Sequence, residues 1–248
     1  MTKIKQNKRP RFPLLEKTYF ARLITLNSEY AEPERIGSML RSLLSPRQIN
    51  LVGYRGARDL VQPVDFEAVP DLFSLKKERL VYLLAGCSPA LEVSILWFPP
   101  EVFDCFVAPR MRMNLAFGFP EGWNYQDAEE LFVSAVHALD PHWGELNRLA
   151  ATKFPTLCSV NGHIRCVPHI GTTNYFGPEY CEFFGGIERI KSVGFERVVT
   201  LCEGVLTSLG EDLTHEAYMR CRGDIESRLA SSEVFEPNAS NELPCFRK

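Results

Sequence analysis

The chain has 248 residues, with 28 basic against 31 acidic side chains and a net charge of −3. That balance leaves no electrostatic footprint for a phosphate backbone, so no direct nucleic-acid partner is expected. A chain of this length can bury roughly 75% of its extended surface and needs no staples to form a core. No apolar run reaches the ~18 residues of a membrane span, and the basic start from Met1 to Arg11 has no apolar stretch behind it. A soluble, cytoplasmic protein with no membrane partner is expected. The eight cysteines contain no C-x-x-C pair and read as reduced thiols.

In chain order, residues 1–16 are basic and punctuated by proline, and they read as a flexible N-terminal segment. Tyr19 to Leu26 has the pattern of a first strand. Glu32-Pro33 then opens a helix with Ile36, Met39, Leu40, Leu43 and Leu44 on one face. Proline at its first position costs nothing, because the N–H it lacks would be unpaired there. Ile49 to Tyr54 is a further strand candidate, and the weakly patterned Gly53 to Leu75 reads as a long surface loop.

Leu80 to Ala85 and Leu91 to Phe98 have strand patterns, and Met111 to Phe119 alternates as a strand with one buried and one wetter face. Between Gln126 and Leu139 the period becomes helical, with Ala128, Leu131, Phe132, Ala135, Val136 and Leu139 in register and Asp127, Glu129 and Glu130 near the favourable N-terminal end. Asp140-Pro141 reads as the cap and first-turn proline of a second helix, with Trp143, Leu146 and Ala150 on one face. Asn161-Gly162 and Glu203-Gly204 are hairpin signals. A last amphipathic helix is expected from about Leu213 to Leu229, with Ala217, Cys221, Ile225 and Leu229 inward. Residues 231–248 read as a flexible polar tail, leaving 17–230 as a single domain.

Runs of strands followed by helices predict an α+β fold, an antiparallel sheet with helices packed mainly on one face. Two smaller lobes meeting near Pro120 are the alternative.

Candidate chemistry is sparse. Cys158, His163, Cys166 and His169 place nitrogen and sulfur donors around a hairpin, but their spacing follows no established zinc pattern. Across an Asn161-Gly162 turn His163 faces Val160 and Cys166 faces Leu157, so the donors need not converge. Cys181, at the start of a short helix, is the best-placed thiol nucleophile, yet its aromatic neighbours Tyr180, Phe183 and Phe184 suit packing. Either feature would make the chain a cysteine- or metal-dependent hydrolase. The carboxylate pairs Asp127 with Glu130, Glu129 with Glu130, and Glu211 with Asp212 sit at expected helix starts, where the helix dipole gives them a sufficient role. The nucleotide-binding, hydrolase, zincin and EF-hand motifs do not occur, and no cofactor is expected.

The run Asp140-Pro141-His142-Trp143-Gly144 after an amphipathic helix, followed by His169-Ile170-Gly171-Thr172-Thr173-Asn174-Tyr175-Phe176-Gly177-Pro178-Glu179, resembles bacterial immunity proteins of polymorphic toxin systems, in particular immunity protein family 52. Related type VI secretion immunity families have a similar strand, Gly-Pro-Glu, short helix and Gly-Gly, as in Gly177 to Gly186. The chain departs from the family where Thr172 follows Gly171, a position that holds an aromatic in the family. The resemblance implies a non-catalytic protein that binds and silences a cognate toxin, a nuclease with a restriction-endonuclease-like fold. A non-catalytic secretion-system adaptor is the other reading without chemistry. Charge for steering and aromatics for anchoring select Trp123, Asp127, Glu129, Glu130, Trp143 and Tyr175 as expected partner-binding residues.

Overall fold

The computed structural model describes residues 17–25, 28–56, 60–74, 80–86, 90–97, 113–148, 157–160, 163–166, 170–210 and 213–229. The expected flexible ends, 1–16 and 231–248, lie outside them, as do His169 and the Glu211-Asp212 pair.

The strands are β1 (Lys17–Thr25), β2 (Leu51–Arg55), β3 (Val61–Gln62), β4 (Leu80–Ala85), β5 (Leu91–Trp97), β6 (Met113–Pro120), β7 (Trp143–Arg148), β8 (Leu157–Val160), β9 (His163–Cys166), β10 (Thr173–Phe176), β11 (Arg197–Leu201) and β12 (Gly204–Ser208). The helices are α1 (Pro33–Leu44), α2 (Val69–Ser74), α3 (Tyr125–Leu139), α4 (Pro178–Phe183), α5 (Ile187–Ser192) and α6 (His215–Leu229). Ten strands form one sheet in the order β11-β12-β10-β7-β1-β6-β5-β4-β2-β3. All nine pairings between its neighbouring strands are antiparallel. The α+β expectation therefore holds, and strands on both sides of Pro120 belong to the same sheet.

Residue parity decides where the helices go. Tyr19, Ala21 and Leu23 of β1 join a core with α1, α2 and α3, whereas Ile24 joins a second core with α4, α5 and α6. The same split recurs at Leu146 against Trp143, Tyr175 against Phe176, and Leu206 against Val205. Successive side chains of a strand point to opposite faces, so the helices cover both faces of the sheet. Helices mainly on one face is thus corrected: α1–α3 cover one face, and α4–α6 cover the other at the β7-β10-β12 end.

Four local readings are also corrected. The expected loop from Gly53 to Leu75 contains β3 and α2, and α2 buries Val69, Leu72 and Phe73 in the first core. The helix expected after Asp140-Pro141 is β7. Asp140 takes a left-handed conformation, φ 43°, and ends α3, after which Trp143 and Leu146 fall on opposite faces of the sheet. Gly144 fits there because a Cβ would lie 3.0 Å from the Phe132 ring and 3.2 Å from the Arg22 carbonyl. β6 has no broad wet face, since only Asn114 of its residues is partly exposed. In α6, Tyr218, Ile225 and Leu229 are the buried residues, while Ala217 and Cys221 are only partly covered.

Both hairpins form. β8 pairs with β9 with Val160 opposite His163 and Leu157 opposite Cys166, the register the sequence predicts. The loop between β11 and β12 is Cys202-Glu203, one residue earlier than expected, and Cys202 takes the positive φ of 51°. Gly204 serves close packing instead, because a Cβ there would collide with the Phe176 carbonyl and the Tyr175 hydroxyl.

Candidate partner-binding groove

The start of α3 is a reciprocally capped end. The Asn124 side chain accepts from the Asp127 N–H at 2.7 Å, and its amide donates to the Asp127 carboxylate at 2.8 Å. Arg47, in the turn just past α1, ties down the next turns, its Nη2 donating to the Glu130 carbonyl at 3.1 Å and to Ser134 Oγ at 2.9 Å. These bonds fix the first turns of α3 beside the β10 and β11 residues that its side chains reach.

Beside that end lies a groove of about 400 Å³ lined by Tyr125, Gln126, Glu129, Glu130, Glu196, Arg197, Ser208 and Gly210. Its floor is a chain of polar contacts. Arg197 Nη2 donates to Glu129 Oε1 at 2.5 Å, Thr173 Oγ1 donates to the same oxygen at 2.7 Å, and the Tyr125 hydroxyl meets Thr173 Oγ1 at 2.5 Å. Burial pushes the Tyr125 hydroxyl above its ordinary pKa, so it remains a neutral donor. Three carboxylates, Glu129, Glu130 and Glu196, face one guanidinium, Arg197. The groove therefore favours a cationic group.

Of the expected partner-binding residues, the structure gathers Trp123, Asp127, Glu129 and Glu130 around the start of α3. Glu129 and Glu130 line the groove. Trp123 is partly exposed and packs edge-on against Phe119 at 5.0 Å. Trp143 and Tyr175 are corrected: both are 0% exposed and belong to the two cores. Each sits in a central strand next to a turn, and adjacency to a turn in sequence does not expose a ring whose strand is covered on that face. Glu196, Arg197, Ser208 and Gly210 of the lining were not singled out from sequence. Only Gly210 carries a local signal, a glycine closing the strand-like run Val205 to Leu209, and in the structure it holds a φ of +99°.

The two halves of the family-like run meet in space. The Gly177 N–H donates to the His142 carbonyl at 2.8 Å, and His142 Nδ1 lies 2.9 Å from Glu179 Oε2. That hydrogen bond lowers the Glu179 carboxyl below its ordinary range. Gly177-Pro178-Glu179 leads into α4 and Gly185-Gly186 follows it, as the resemblance implies. Asn174 closes the Gly171 turn by accepting from the Gly171 N–H at 2.6 Å and donating to its carbonyl at 3.1 Å.

Cys181 is not placed as an activated nucleophile. It is buried, its thiol donates to the Phe176 carbonyl at 3.3 Å, and burial pushes its pKa up to about 11. Among the described residues no group of three or more His, Cys, Asp or Glu is arranged to hold a metal ion. No helix among them is long and apolar enough to cross a membrane.

The fold and groove define an α+β protein on an open antiparallel sheet with an acidic recess beside β11. No protein-family model matches the chain, and no curated protein matches it in sequence. Among solved structures it is similar to Pseudomonas aeruginosa T6SS protein PA0821, with a TM-score of 0.55 and 10% identity, covering 86% of this chain and 75% of that one. At that identity the likeness is one of fold.

Proposed function

We propose that this chain is an immunity-type protein that binds and neutralises a cognate secreted nuclease toxin in the cytoplasm of the producing bacterium, and that it turns over no substrate. The observation that carries this reading is the groove beside the capped start of α3, where Glu129 and Glu130 of the helix and Glu196 before β11 outnumber Arg197. A nuclease channel built to hold DNA is cationic, and such a channel is steered toward an acidic recess. The fold likeness to a T6SS protein and the resemblance to immunity protein family 52 support the same reading.

The test is co-expression with the protein encoded beside this chain. A stable complex and restored growth are expected. Reversing Glu130 and Glu196 to lysine should slow association by roughly tenfold at low salt with little change in melting temperature. Failure to bind or protect with the wild-type chain would sink the reading.

The likeness to a T6SS protein supports a second reading, a non-catalytic adaptor of the secretion machinery. Assembly with machinery subunits in cells lacking the toxin separates the two.

A further inference from the structure

The two ends of the ten-stranded sheet are finished differently. At one end β3 is only Val61–Gln62 and Pro63 follows it, which leaves almost no template for another strand. The other end is β11, with the sequence Arg-Val-Val-Thr-Leu. Its single charge stands at its first residue, and it has no lysine, proline or inward charge of the kind that guards an edge. Val199 at its centre is 45% exposed.

The hydrogen-bond phase of β11 follows from its neighbours. The Leu209 N–H donates to the Thr172 carbonyl at 2.8 Å. Main-chain groups in an antiparallel ladder alternate sides, so Thr207 and Val205 also bond toward β10, while Ser208, Leu206 and Gly204 bond toward β11. Their partners Arg197, Val199 and Leu201 bond inward. The N–H and C=O groups of Val198 and Thr200 therefore point outward, and among the described residues no strand pairs with them.

We propose that β11 pairs antiparallel with β11 of a second copy of this chain, about a two-fold axis at Val199, joining the two sheets into one. In this register Val198 of each copy lies opposite Thr200 of the other, and each such pair exchanges both main-chain hydrogen bonds. All the outward groups of β11 are then satisfied. The two Val199 side chains meet as a non-hydrogen-bonded pair, with Cα atoms ~4.5 Å apart, where cross-strand side chains come closest. Arg197 lies opposite Leu201 and diagonal to Glu203 of the second copy, so opposite charges adjoin and like charges do not. Moving the axis to Thr200 would bring Cys202, a left-handed hairpin residue, into the pairing, and moving it to Val198 would leave Thr200 opposite the bend residue Glu196.

The test uses the full chain. Sedimentation over a wide concentration range should show the mass rising from 28.2 kDa toward twice that value. Thr200→Pro removes one outward N–H and leaves the inward ladder to β12 in place, so it should weaken association at least tenfold with an unchanged circular dichroism spectrum. Val199→Cys in a Cys202→Ser background should form a disulfide-linked dimer under mild oxidation, and the Cys202→Ser chain alone should not. A chain that remains monomeric with no cross-link through Cys at 199 overturns the proposal. So does a dimer that a folded Thr200→Pro variant leaves undiminished. If that variant fails to fold, the cross-link decides.

Discussion

Arg22 and Glu145 stand directly opposite each other in the ladder between β1 and β7, Arg22 8% exposed and Glu145 1% exposed. Arg222 of α6 adds its field, and the Asn147 amide donates to Glu145 Oε2 at 2.6 Å. Burial outweighs these partners and pushes the Glu145 carboxyl up to about 8.

That shift has a definite sign. A carboxyl with a raised folded pKa holds its proton more tightly in the native state. The resulting stability is complete below about pH 4.5 and is lost as pH rises to about 8. Burial likewise raises the Glu226 carboxyl, which acts in the same direction. Glu145→Gln, neutral throughout, should match wild type in acid and be more stable at pH 8 by about 1 kcal/mol or more. Thermal melts at both pH values check this, and equal differences at the two would refute it.

Gly210 holds a φ of +99° beside Glu196, and a Cβ there would collide with the Glu196 carboxylate. Gly210→Ala should cost about 1–3 kcal/mol. The colliding carboxylate is the far end of an exposed, flexible side chain that can swing aside, so adding Glu196→Ala should return little of that loss, which lies in the positive-φ backbone. Near-additive costs are expected in denaturant titrations of the single and double variants, and a large recovery in the double variant would contradict this assignment.

The Tyr175 hydroxyl is buried with no hydrogen-bond partner among the described residues. An unpaired buried hydroxyl opposes folding, so Tyr175→Phe should leave stability unchanged or raise it by about 1 kcal/mol. Partner affinity should not change, because the ring is enclosed. A loss of several-fold in affinity, measured calorimetrically, would restore Tyr175 to the binding surface.

At the groove, Asn124→Ala should destabilise the protein by about 1 kcal/mol through loss of the Asp127 N–H cap. Glu129→Gln should cost a similar amount, because Arg197 and Thr173 both bond to that carboxylate. Glu130, exposed and bonded by its side chain, among the described residues, only to Gln126 at 3.4 Å, should tolerate Glu130→Lys in urea titrations.

Local patterning made α1, α3, most strands and the β8-β9 register legible. In each case one short-range rule sufficed, such as proline at a helix start, a period of 3.6 or a two-residue hairpin loop. β7 misled because Trp143 and Leu146 also fit a helical face, and only the left-handed turn at Asp140 and the pairing with β1 and β10 make that segment a strand. The acidic half of the groove, Glu129 and Glu130, was visible as a charged helix start, but its other wall was not.

By itself the sequence determined the fold class, the near-neutral charge and the acidic start of α3, since these depend on composition and on neighbours within a few residues. Tertiary structure alone decided that Trp143 and Tyr175 are enclosed, that the helices cover both faces, and that Glu196 and Arg197 meet Glu129 across 67 and 68 intervening steps of chain respectively. Those outcomes depend on strand order and register, which long-range pairing energies select and no local pattern encodes.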